Sequence, residues 1–282
     1  MAQTKHDIQA LLTQANSEPR HRFGQNFMID GNLVRLVADA GLIEPGDVVI
    51  EVGPGTGTLT EELLSRGAEV IAVEIDRDLA QLLRDRLGDR QAFRLIGGDA
   101  LAGKHALNAE LLAAIVSLQP QKRRIKLVAN LPYNIASPLV IELLIAGVEI
   151  VAFTVQREVA MRLKAPASGD DYGPLTVMAQ LLAKVEVLRT LPPQAFWPAP
   201  KIESSLVRMT RDDRLGDHAG AFGTFVHQVF SYRRKTLRRS LTQAGYAADA
   251  IIAKLSLDPQ ARPETFTPEV LLAMFLETLN AG

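Results

Sequence analysis

The chain has 282 residues, of which 47% are hydrophobic and 22% are charged, enough for one large domain and a smaller one with buried cores. It contains no cysteine, which excludes a disulfide framework and thiolate chemistry, and its five histidines are too scattered to predict a metal-ligand cluster. The net charge of −1 gives no overall attraction to nucleic acid, no apolar stretch is long enough to span a bilayer, and the first residues lack the apolar segment of a signal peptide, so we expect a cytoplasmic protein.

Helical and strand patterns alternate through most of the chain. Apolar residues recur at helical spacing in residues 4–15, a helix is predicted after Asp30, and another begins near Thr58. Asp76 is a suitable N-cap for the next helix, and a further helix is predicted to start near Ser137-Pro138, since proline fits a first turn. The predicted strands, which are short and largely apolar, are residues 48–53, 69–74, 92–97, 125–130, 150–156, 184–191 and 203–210.

This alternation favours a parallel α/β sheet. The last two strands are joined by a proline-rich segment without a helical pattern, so they can pair antiparallel, and we expect a seven-stranded mixed sheet with one antiparallel strand at its edge. After Thr210 a polar linker leads into a region that has only helical patterns, at residues 222–231, 235–243, 248–255 and 268–279. The predicted domains are therefore residues 1–210 and an all-helical domain of residues 211–282.

A glycine-rich loop follows the first predicted strand. The segment Glu51-Val52-Gly53-Pro54-Gly55-Thr56-Gly57 opens a helix, and its glycines let the backbone turn tightly and let a ligand come close. Thr58 stands at the third glycine position of the dinucleotide pattern, and no Gly-x-x-x-x-Gly-Lys segment is present, so neither a pyrophosphate-binding loop nor an NTPase loop is indicated. On its own the loop is also compatible with an ordinary tight turn.

Two carboxylates strengthen the interpretation of this region as a ligand site. Glu74 ends the second strand, where an acidic residue can bind a ribose diol, and Asp99 follows the third strand, where it can accept a hydrogen bond from an adenine amine. Either residue alone is equally compatible with a helix cap. Together with the glycine loop and Asn130 they occupy the carboxyl ends of four successive strands, the edge at which ligands bind. The pattern favours an adenosyl ligand without a pyrophosphate, namely S-adenosylmethionine.

The segment Asn130-Leu131-Pro132-Tyr133 follows the fourth strand and predicts chemistry on an exocyclic amine. The lone pair of such an amine is delocalised into the ring. An Asn side-chain oxygen and a backbone carbonyl can accept its two N–H groups and draw the lone pair out of conjugation. Pro132 fixes the backbone and offers no N–H, and Tyr133 can stack on a base. The alternative is an ordinary strand-to-helix turn, in which Asn and Pro are common.

Basic residues are concentrated in two islands, although the net charge is close to zero. A run of charge is usually a solvated face, but a local basic patch is also what a phosphate backbone requires, so both islands are candidates for phosphate contacts. The first island comprises Arg233, Arg234, Lys235, Arg238 and Arg239, and the second comprises Lys122, Arg123, Arg124 and Lys126.

These segments resemble those of the ribosomal RNA adenine dimethyltransferases, and more narrowly the bacterial enzymes that act on small-subunit RNA. Residues 23–30 are similar to the family's N-terminal cofactor motif, in which Asn26 and Met28 would contact the methionine part of the cofactor, with Met28 standing where Leu is expected. The glycine loop, the two strand-end acids and the Asn130–Tyr133 segment match the motifs that follow. The resemblance covers nearly the whole chain.

Later segments carry the same resemblance. Phe153 matches an aromatic residue that would help to hold a flipped base, and residues 192–204 are similar to a highly specific signature after the sixth strand. Residues 230–241 resemble the basic start of the family's helical domain. Residues 103–126, with a helix expected at 107–118, form a longer insertion than the family usually has.

The resemblance implies a Rossmann-like class I methyltransferase fold and dimethylation at N6 of two adjacent adenosines near the 3′ end of small-subunit RNA, linked to biogenesis of that subunit. It implies the small ribosomal subunit and its RNA as partners, a monomer, and neither membrane nor DNA as a partner. The catalytic residues it implies are Asn130, Leu131, Pro132, Tyr133 and Phe153. The residues it implies for binding S-adenosylmethionine are Asn26, Met28, Gly53, Glu74, Asp99 and Asn130, and no metal is expected.

Two alternatives remain at the level of sequence. One is a related enzyme that methylates large-subunit RNA and gives macrolide resistance, against which residues 192–204 argue. The other is a ribosome-assembly or transcription factor that keeps the fold without catalysis. The presence of Asn26, Glu74, Asp99 and Asn130 argues against a protein that only binds, because binding alone does not need a complete site.

Overall fold

The computed structural model of the protein describes residues 3–103, 106–121 and 123–280, so Lys122 lies outside the described residues. The chain forms two compact units. The first comprises the residues up to Ala160 together with Glu186–Arg211, and the second comprises Met161–Val185 and the residues from Asp212 onward. Met161–Val185, which belongs to the predicted domain of residues 1–210, thus groups with the helical unit. The division into two separate domains, residues 1–210 and residues 211–282, stays a prediction.

The strands are short and are numbered in chain order. They are β1 (Phe27–Met28), β2 (Val48–Val52), β3 (Glu69–Glu74), β4 (Phe93–Gly97), β5 (Leu101–Gly103), β6 (Ala106–Leu107), β7 (Ile125–Asn130), β8 (Ile150–Gln156), β9 (Ala183–Leu191), β10 (Phe196–Trp197) and β11 (Ser204–Arg211). Seven of them form one sheet in the order β4-β3-β2-β7-β8-β11-β9. Every residue of β2 is buried, as is typical of a central strand covered on both faces.

The pairing within the large sheet confirms the mixed α/β architecture. Strands β4, β3, β2, β7 and β8 pair in parallel, and β11 pairs antiparallel with β8 from Ser204 opposite Gln156 to Thr210 opposite Ile150. The antiparallel strand was expected at the edge, but β9 takes the edge and β11 lies one place further in. The reason is that the last strand returns along the sheet and fills the position beside β8, where it is hydrogen-bonded on both sides.

The helices are also numbered in chain order. They are α1 (Lys5–Gln14), α2 (Gly31–Ala40), α3 (Thr58–Ser65), α4 (Arg77–Leu87), α5 (Ala109–Leu118), α6 (Tyr133–Ile145), α7 (Arg157–Lys164), α8 (Pro174–Leu182), α9 (Ala219–Ser231), α10 (Leu237–Gln243), α11 (Ala248–Leu255) and α12 (Pro268–Asn280). None of the helices in the described part of the chain combines the length and the apolar character that a membrane span requires.

Several helix starts follow the predicted caps. The Asp30 carboxylate accepts the N–H of Asn32 at 2.8 Å at the start of α2, and the Asp76 carboxylate accepts the N–H of Asp78 at 3.1 Å at the start of α4. The predicted start near Ser137-Pro138 is wrong. Helix α6 begins at Tyr133 and contains Pro138, because Pro132 already ends the extended chain and occupies the N-cap position.

The core of the first unit lies between the sheet and its helices. Val34 and Val37 of α2 are buried together with Val49 of β2, Val128 of β7 and Leu206 of β11. With Ala152 of β8 in the same cluster, these residues pack α2 against the middle of the large sheet. Since apolar burial is the main stabilising contribution to a fold, this packing holds the strand ends in a fixed arrangement.

The insertion before β7 consists of a small antiparallel hairpin, β5 with β6, followed by α5. Asn108 caps α5 by accepting the N–H of Glu110 at 2.9 Å, and its side-chain amide donates to the carbonyl of Asp99 at 3.0 Å. The predicted helix at 107–118 therefore starts two residues later than expected, because residues 106–107 pair in the hairpin.

The second unit has its own aromatic core. The rings of Phe222, Phe225 and Phe275 lie with centroids 5.5–6.2 Å apart, and the hydroxyl of Tyr172 donates to the carbonyl of Phe266 at 2.8 Å. Helix α10 starts at Leu237, two residues later than predicted. The basic residues before it thus lie at the turn that opens α10.

Candidate active site

A cleft of about 240 Å³ lies at the carboxyl ends of β2, β3, β4 and β7. Its lining comes from the loop after each of these strands and from the segment that contains β1. Because the carboxyl ends of parallel strands meet at one edge of a sheet, the four sequence segments singled out above are brought together, as predicted. The lining includes the predicted residues Asn26, Met28, Gly53, Glu74, Asp99, Asn130, Leu131, Pro132 and Tyr133.

The glycine loop depends on left-handed backbone at two positions that face the cleft. Gly53 has φ +72° and Gly55 has φ +61°, conformations that side chains with a Cβ adopt at a cost. A Cβ on Gly53 would lie 3.4 Å from Pro132, and a Cβ on Gly55 would lie 2.9 Å from the ring of Phe27. The glycines therefore allow the loop to lie close to the Asn130–Tyr133 segment on one side and to β1 on the other.

Glu74 connects the end of β3 to this loop. One carboxylate oxygen accepts the backbone N–H of Gly55 at 3.1 Å, and the other accepts that of Asp76 at 2.9 Å. The side chain is only 4% exposed, and burial raises the pKa of Glu74 from its usual value of 4.5 to about 7, against the lowering effect of these two hydrogen bonds. Glu74 thus lies at the cleft, where binding of a ribose diol is predicted, and its carboxylate has lone pairs left to accept further hydrogen bonds.

A second carboxyl group, Glu51, lies in the lining of the cleft and was not singled out as a site residue. It is 2% exposed and accepts the hydroxyl hydrogen of Thr60 at 2.6 Å. Burial, followed by the nearby Glu74 charge, raises the pKa of Glu51 to about 8, so the group is largely protonated at neutral pH. The sequence contained a signal for it, a charged residue inside the otherwise apolar β2.

The N-terminal segment contributes several polar contacts that the sequence did not reveal. The side chain of Gln3 donates to the Thr56 carbonyl at 3.1 Å and accepts the Thr56 hydroxyl hydrogen at 2.6 Å. Arg20 pairs with the fully buried Asp76 at 2.7 Å, and Gln25 donates to the same carboxylate at 3.1 Å. This segment therefore holds both the glycine loop and the start of α4.

Asn130 is held at both ends of its amide. Its Nδ2 donates to the backbone carbonyl of Asn26 at 2.6 Å, and its Oδ1 accepts the hydroxyl hydrogen of Thr154. Leu131, which is 2% exposed, and Pro132 then lead into α6. The last residue of β7 and the first residue of α6 are thus separated by only these two residues.

Tyr133 lies in the lining of the cleft with its hydroxyl engaged elsewhere. The hydroxyl and that of Ser204 are 2.6 Å apart, and burial raises the pKa of Tyr133 above its ordinary value. Ser204 is fully buried at the start of β11. The residue that closes the signature at 192–204 therefore anchors Tyr133 while its ring remains at the cleft.

Asp99 and Met28 both line the cleft but differ in their exposure to solvent. Asp99 is exposed, and one of its carboxylate oxygens accepts the N–H of Leu101 at 3.0 Å, while the other has no hydrogen-bond partner among the described residues. Met28 is 5% exposed and pairs with Phe196 in the two-stranded β1–β10 ribbon. In the part of the chain that the structure describes, no three His, Asp or Glu side chains are grouped closely enough to bind a metal ion.

Phe153 is the predicted site residue that the structure does not bring to the cleft. It is 0% exposed, lies opposite Ala129 and Val207 in the sheet, and takes no part in the cleft lining. Successive side chains of a strand point to opposite faces, and it is the next residue, Thr154, that reaches Asn130. A role for Phe153 in holding a base is therefore not supported by this geometry.

The two basic islands differ in how their charges are compensated. In the second island Arg123 pairs with Glu69 at 2.6 Å, and Lys126 pairs with the buried Asp47 at 2.7 Å. Arg124 also pairs with Asp47, at 2.8 Å. The expectation that this island contacts phosphate is thus not supported, because its described members already neutralise carboxylates.

The first island keeps most of its charge available. Arg238 pairs with Asp249 at 2.5 Å, whereas Arg233, Arg234, Lys235 and Arg239 are exposed and have no ion pair among the described residues. A shallow depression of about 350 Å³ in the second unit is lined by Lys235, Arg238, Arg239, Thr242 and Gln243. This surface is compatible with phosphate contacts.

Comparison with known proteins gives a consistent result. A family model described as "Ribosomal RNA adenine dimethylase" matches residues 16–277. "Ribosomal RNA small subunit methyltransferase A" of Deinococcus radiodurans is 40% identical over 267 residues, which is 94% of this chain and 86% of the relative.

Two solved structures are similar in fold. A dimethyladenosine transferase from Plasmodium falciparum has a TM-score of 0.70 at 22% identity, over 90% of this chain and 98% of that one. The 23S rRNA methyltransferase ErmE has a TM-score of 0.63 at 26% identity, over 90% of this chain and 99% of that one. The Rossmann-like methyltransferase fold expected from the sequence is therefore confirmed.

Proposed function

Because the chain belongs to the ribosomal RNA adenine dimethylase family, we propose that it transfers two methyl groups to N6 of each of two adjacent adenosines near the 3′ end of small-subunit RNA, with S-adenosylmethionine as the donor. The observation that carries the proposal is the juxtaposition of the Asn130–Tyr133 segment with the glycine loop and Glu74 in one cleft. Such a cleft brings an amine acceptor site beside an adenosyl site.

The residues of the cleft fit an adenosyl cofactor. Glu74 offers acceptor positions suited to a ribose diol, and the unpartnered oxygen of Asp99 suits an adenine amine. The hydroxyl of Thr58, 8% exposed and in the cleft lining, is buried without a hydrogen-bond partner, as expected where a polar ligand group would complete it. Asn26 and Met28 would hold the methionine part. When bound, S-adenosylmethionine supplies a methyl group already activated on a sulfonium sulfur.

The protein's own contribution to transfer is positioning. The Asn130 side-chain oxygen and a backbone carbonyl of the same segment would accept the N–H groups of the adenine amine, and the ring of Tyr133 would stack on the base. An adenine in RNA must leave its stack to enter the cleft, and aromatic stacking can offset about 1–3 kcal/mol of that cost per base. Orientation of reactants can contribute roughly 7–11 kcal/mol, so a strong general base is not needed for an activated donor.

The second unit would provide RNA affinity through the exposed part of the first basic island, defined here as Arg233, Arg234, Lys235 and Arg239. Phosphate contacts of this kind supply affinity without reading sequence. We propose that the partner is the small ribosomal subunit with its RNA, that the protein acts as a cytoplasmic monomer in small-subunit biogenesis, and that neither DNA nor a membrane is a partner.

A second candidate is methylation of large-subunit RNA. It is favoured by the structural likeness to the 23S rRNA methyltransferase ErmE at 26% identity. The relative named for the small subunit is more similar, at 40% identity over nearly the whole chain, and supports the small-subunit proposal instead. The two candidates predict modification of different RNAs and are easily separated.

The test is incubation of the protein with labelled S-adenosylmethionine and undermethylated small subunits or large subunits, followed by mapping of the modified bases. We expect dimethyladenosine only in small-subunit RNA. Asn130→Ala should abolish transfer while most of the cofactor affinity measured by calorimetry is kept. Asn32→Ala, a change of an exposed asparagine outside the cleft, is the matched control. Label in large subunits alone, or full activity of Asn130→Ala, would contradict the proposal.

A further inference from the structure

The orientation of the Asn130 amide is determined by its two partners. The Asn26 carbonyl can only accept a hydrogen bond, so it must face the Asn130 NH2 group, to which it lies at 2.6 Å. The amide oxygen is then directed to the hydroxyl of Thr154, which serves as donor. If the amide were turned by 180°, its oxygen would face the Asn26 carbonyl oxygen, and that hydrogen bond would be lost.

Thr154 reaches Asn130 from the adjacent strand and not from the cleft. The two residues are directly paired in the parallel register of β7 and β8. Thr154 is 0% exposed and takes no part in the cleft lining, so a bound base would not touch it. Any effect of its hydroxyl on catalysis must therefore pass through Asn130.

The contact also limits what Asn130 can accept. An amide oxygen has two lone pairs, and the Thr154 hydroxyl occupies one of them, which leaves one for a substrate N–H. An unmethylated adenine amine has two N–H groups and a monomethylated amine has one. A single free acceptor position on Asn130 can thus be used in the same way in both transfers.

We propose that Thr154 is a positioning residue, which holds Asn130 so that the one remaining lone pair of its side-chain oxygen receives a single N–H of the adenine amine in each of the two methyl transfers. This inference rests on the proposed function and assigns a role to a residue outside the Asn130–Tyr133 segment. The amide stays fixed between transfers, and only the substrate turns to present its remaining N–H.

Two substitutions separate positioning from packing. Thr154→Val keeps the shape of the side chain and removes the hydroxyl, whereas Thr154→Ser keeps the hydroxyl and removes a methyl group from the core. We expect Thr154→Val to lower kcat on undermethylated small subunits by roughly 10- to 100-fold, the range that a small misplacement of a reacting group can cause, with KM little changed. Thr154→Ser should keep most of the wild-type kcat although it is the less well packed variant.

The test also measures the melting temperature and the calorimetric affinity for S-adenosylmethionine of Thr154→Val. If Thr154 acts only by positioning Asn130, both values should stay close to those of the wild type. Thr176→Val is the control, since Thr176 is also 0% exposed, its hydroxyl donates to the carbonyl of Arg162 and accepts the N–H of Gly173, and it takes no part in the cleft lining. It should keep wild-type activity.

Wild-type kcat in Thr154→Val, or losses in both Thr154 variants that follow their melting temperatures, would overturn the positioning role. An inactive wild-type protein would instead overturn the proposed function, and this inference with it, before any variant is compared.

Discussion

The carboxylate of Glu74 accepts the backbone N–H of Gly55 at 3.1 Å, so the acid that ends β3 holds the loop that follows β2. The same side chain is 4% exposed and its pKa is raised to about 7 by burial. A group that shapes the loop and lines the cleft thus changes its charge near neutral pH. Binding of a ligand with hydroxyl donors should follow that change.

We expect the affinity for S-adenosylmethionine to rise as pH increases from 6 to 8. Hydroxyl donors favour the ionised carboxylate, and the ionised fraction of Glu74 grows as pH passes through about 7. Glu74→Gln should lower affinity by about tenfold or more, since hydrogen bonds to charged groups contribute ~1.5–3 kcal/mol, and should flatten this dependence. Calorimetry across this pH range measures both effects. Glu18→Gln, an exposed change outside the cleft, should reproduce the wild-type curve.

Gly55→Ala should damage the protein more than Gly46→Ala. Both glycines have positive φ, +61° and +88°, so both substitutions strain the backbone by about 1–2 kcal/mol. Only at Gly55 would the new Cβ meet a neighbour, the ring of Phe27 at 2.9 Å, while nothing lies within 4 Å at Gly46. Urea unfolding should show an extra loss of ~1–3 kcal/mol for Gly55→Ala, and calorimetry a weaker cofactor affinity. Equal losses in the two variants would contradict the packing argument.

Glu51 should make the folded state less stable as pH rises. Its pKa is raised from 4.5 in an exposed setting to about 8 in the fold, so between these values the folded state binds more protons than the unfolded state. The free energy of unfolding therefore falls with increasing pH across this window. Glu51→Gln should reduce that slope and be more stable than wild type at pH 8, as measured by urea unfolding at pH 5, 6.5 and 8. An unchanged slope would show that Glu51 ionises freely in the folded protein.

Reversal of charge in the first basic island should weaken RNA binding. Arg233→Glu, Arg234→Glu and Arg239→Glu together remove three exposed charges without an ion pair among the described residues, so we expect a loss of affinity for small subunits and a shallower salt dependence. Filter binding over a range of salt concentrations measures both. Arg77→Glu, Arg84→Glu and Arg90→Glu change the net charge equally at exposed positions of the first unit. Equal losses of affinity in the two triple variants would show that the net charge of the protein, and not the first basic island, determines RNA binding.

The sequence was most informative where topology alone brings residues together. Glu74, Asp99 and Asn130 each end or follow a parallel strand, and such ends meet at one edge of a sheet whatever the details of packing. The seven strands of the large sheet were predicted to within one residue at each end, because short apolar runs between turn residues leave little alternative. The two- and three-residue strands β1, β5, β6 and β10 were not predicted.

What the sequence could not provide depends on long-range contacts and on side-chain direction. Phe153 and Thr154 are adjacent, and only the strand register decides which of them faces Asn130. Gln3 and Arg20 lie in polar segments with no periodicity, so their bonds to Thr56 and Asp76 have no local signal. The start of α6 was misplaced because a proline inside a helix looks the same in sequence as a proline that begins one.

The β1–β10 ribbon has a consequence for the order in which the chain can be assembled. Phe27 pairs with Trp197 and Met28 pairs with Phe196, so the strand that brings Phe27 and Met28 to the cleft is paired with residues 170 and 168 positions later in the chain. During synthesis from the N-terminus, the glycine loop, Glu74 and Asn130 are all made before the partner of Met28 exists. The strand β1 is thus paired late, and a chain interrupted before Phe196 would contain every cleft-lining residue and still lack the strand that pairs with Met28.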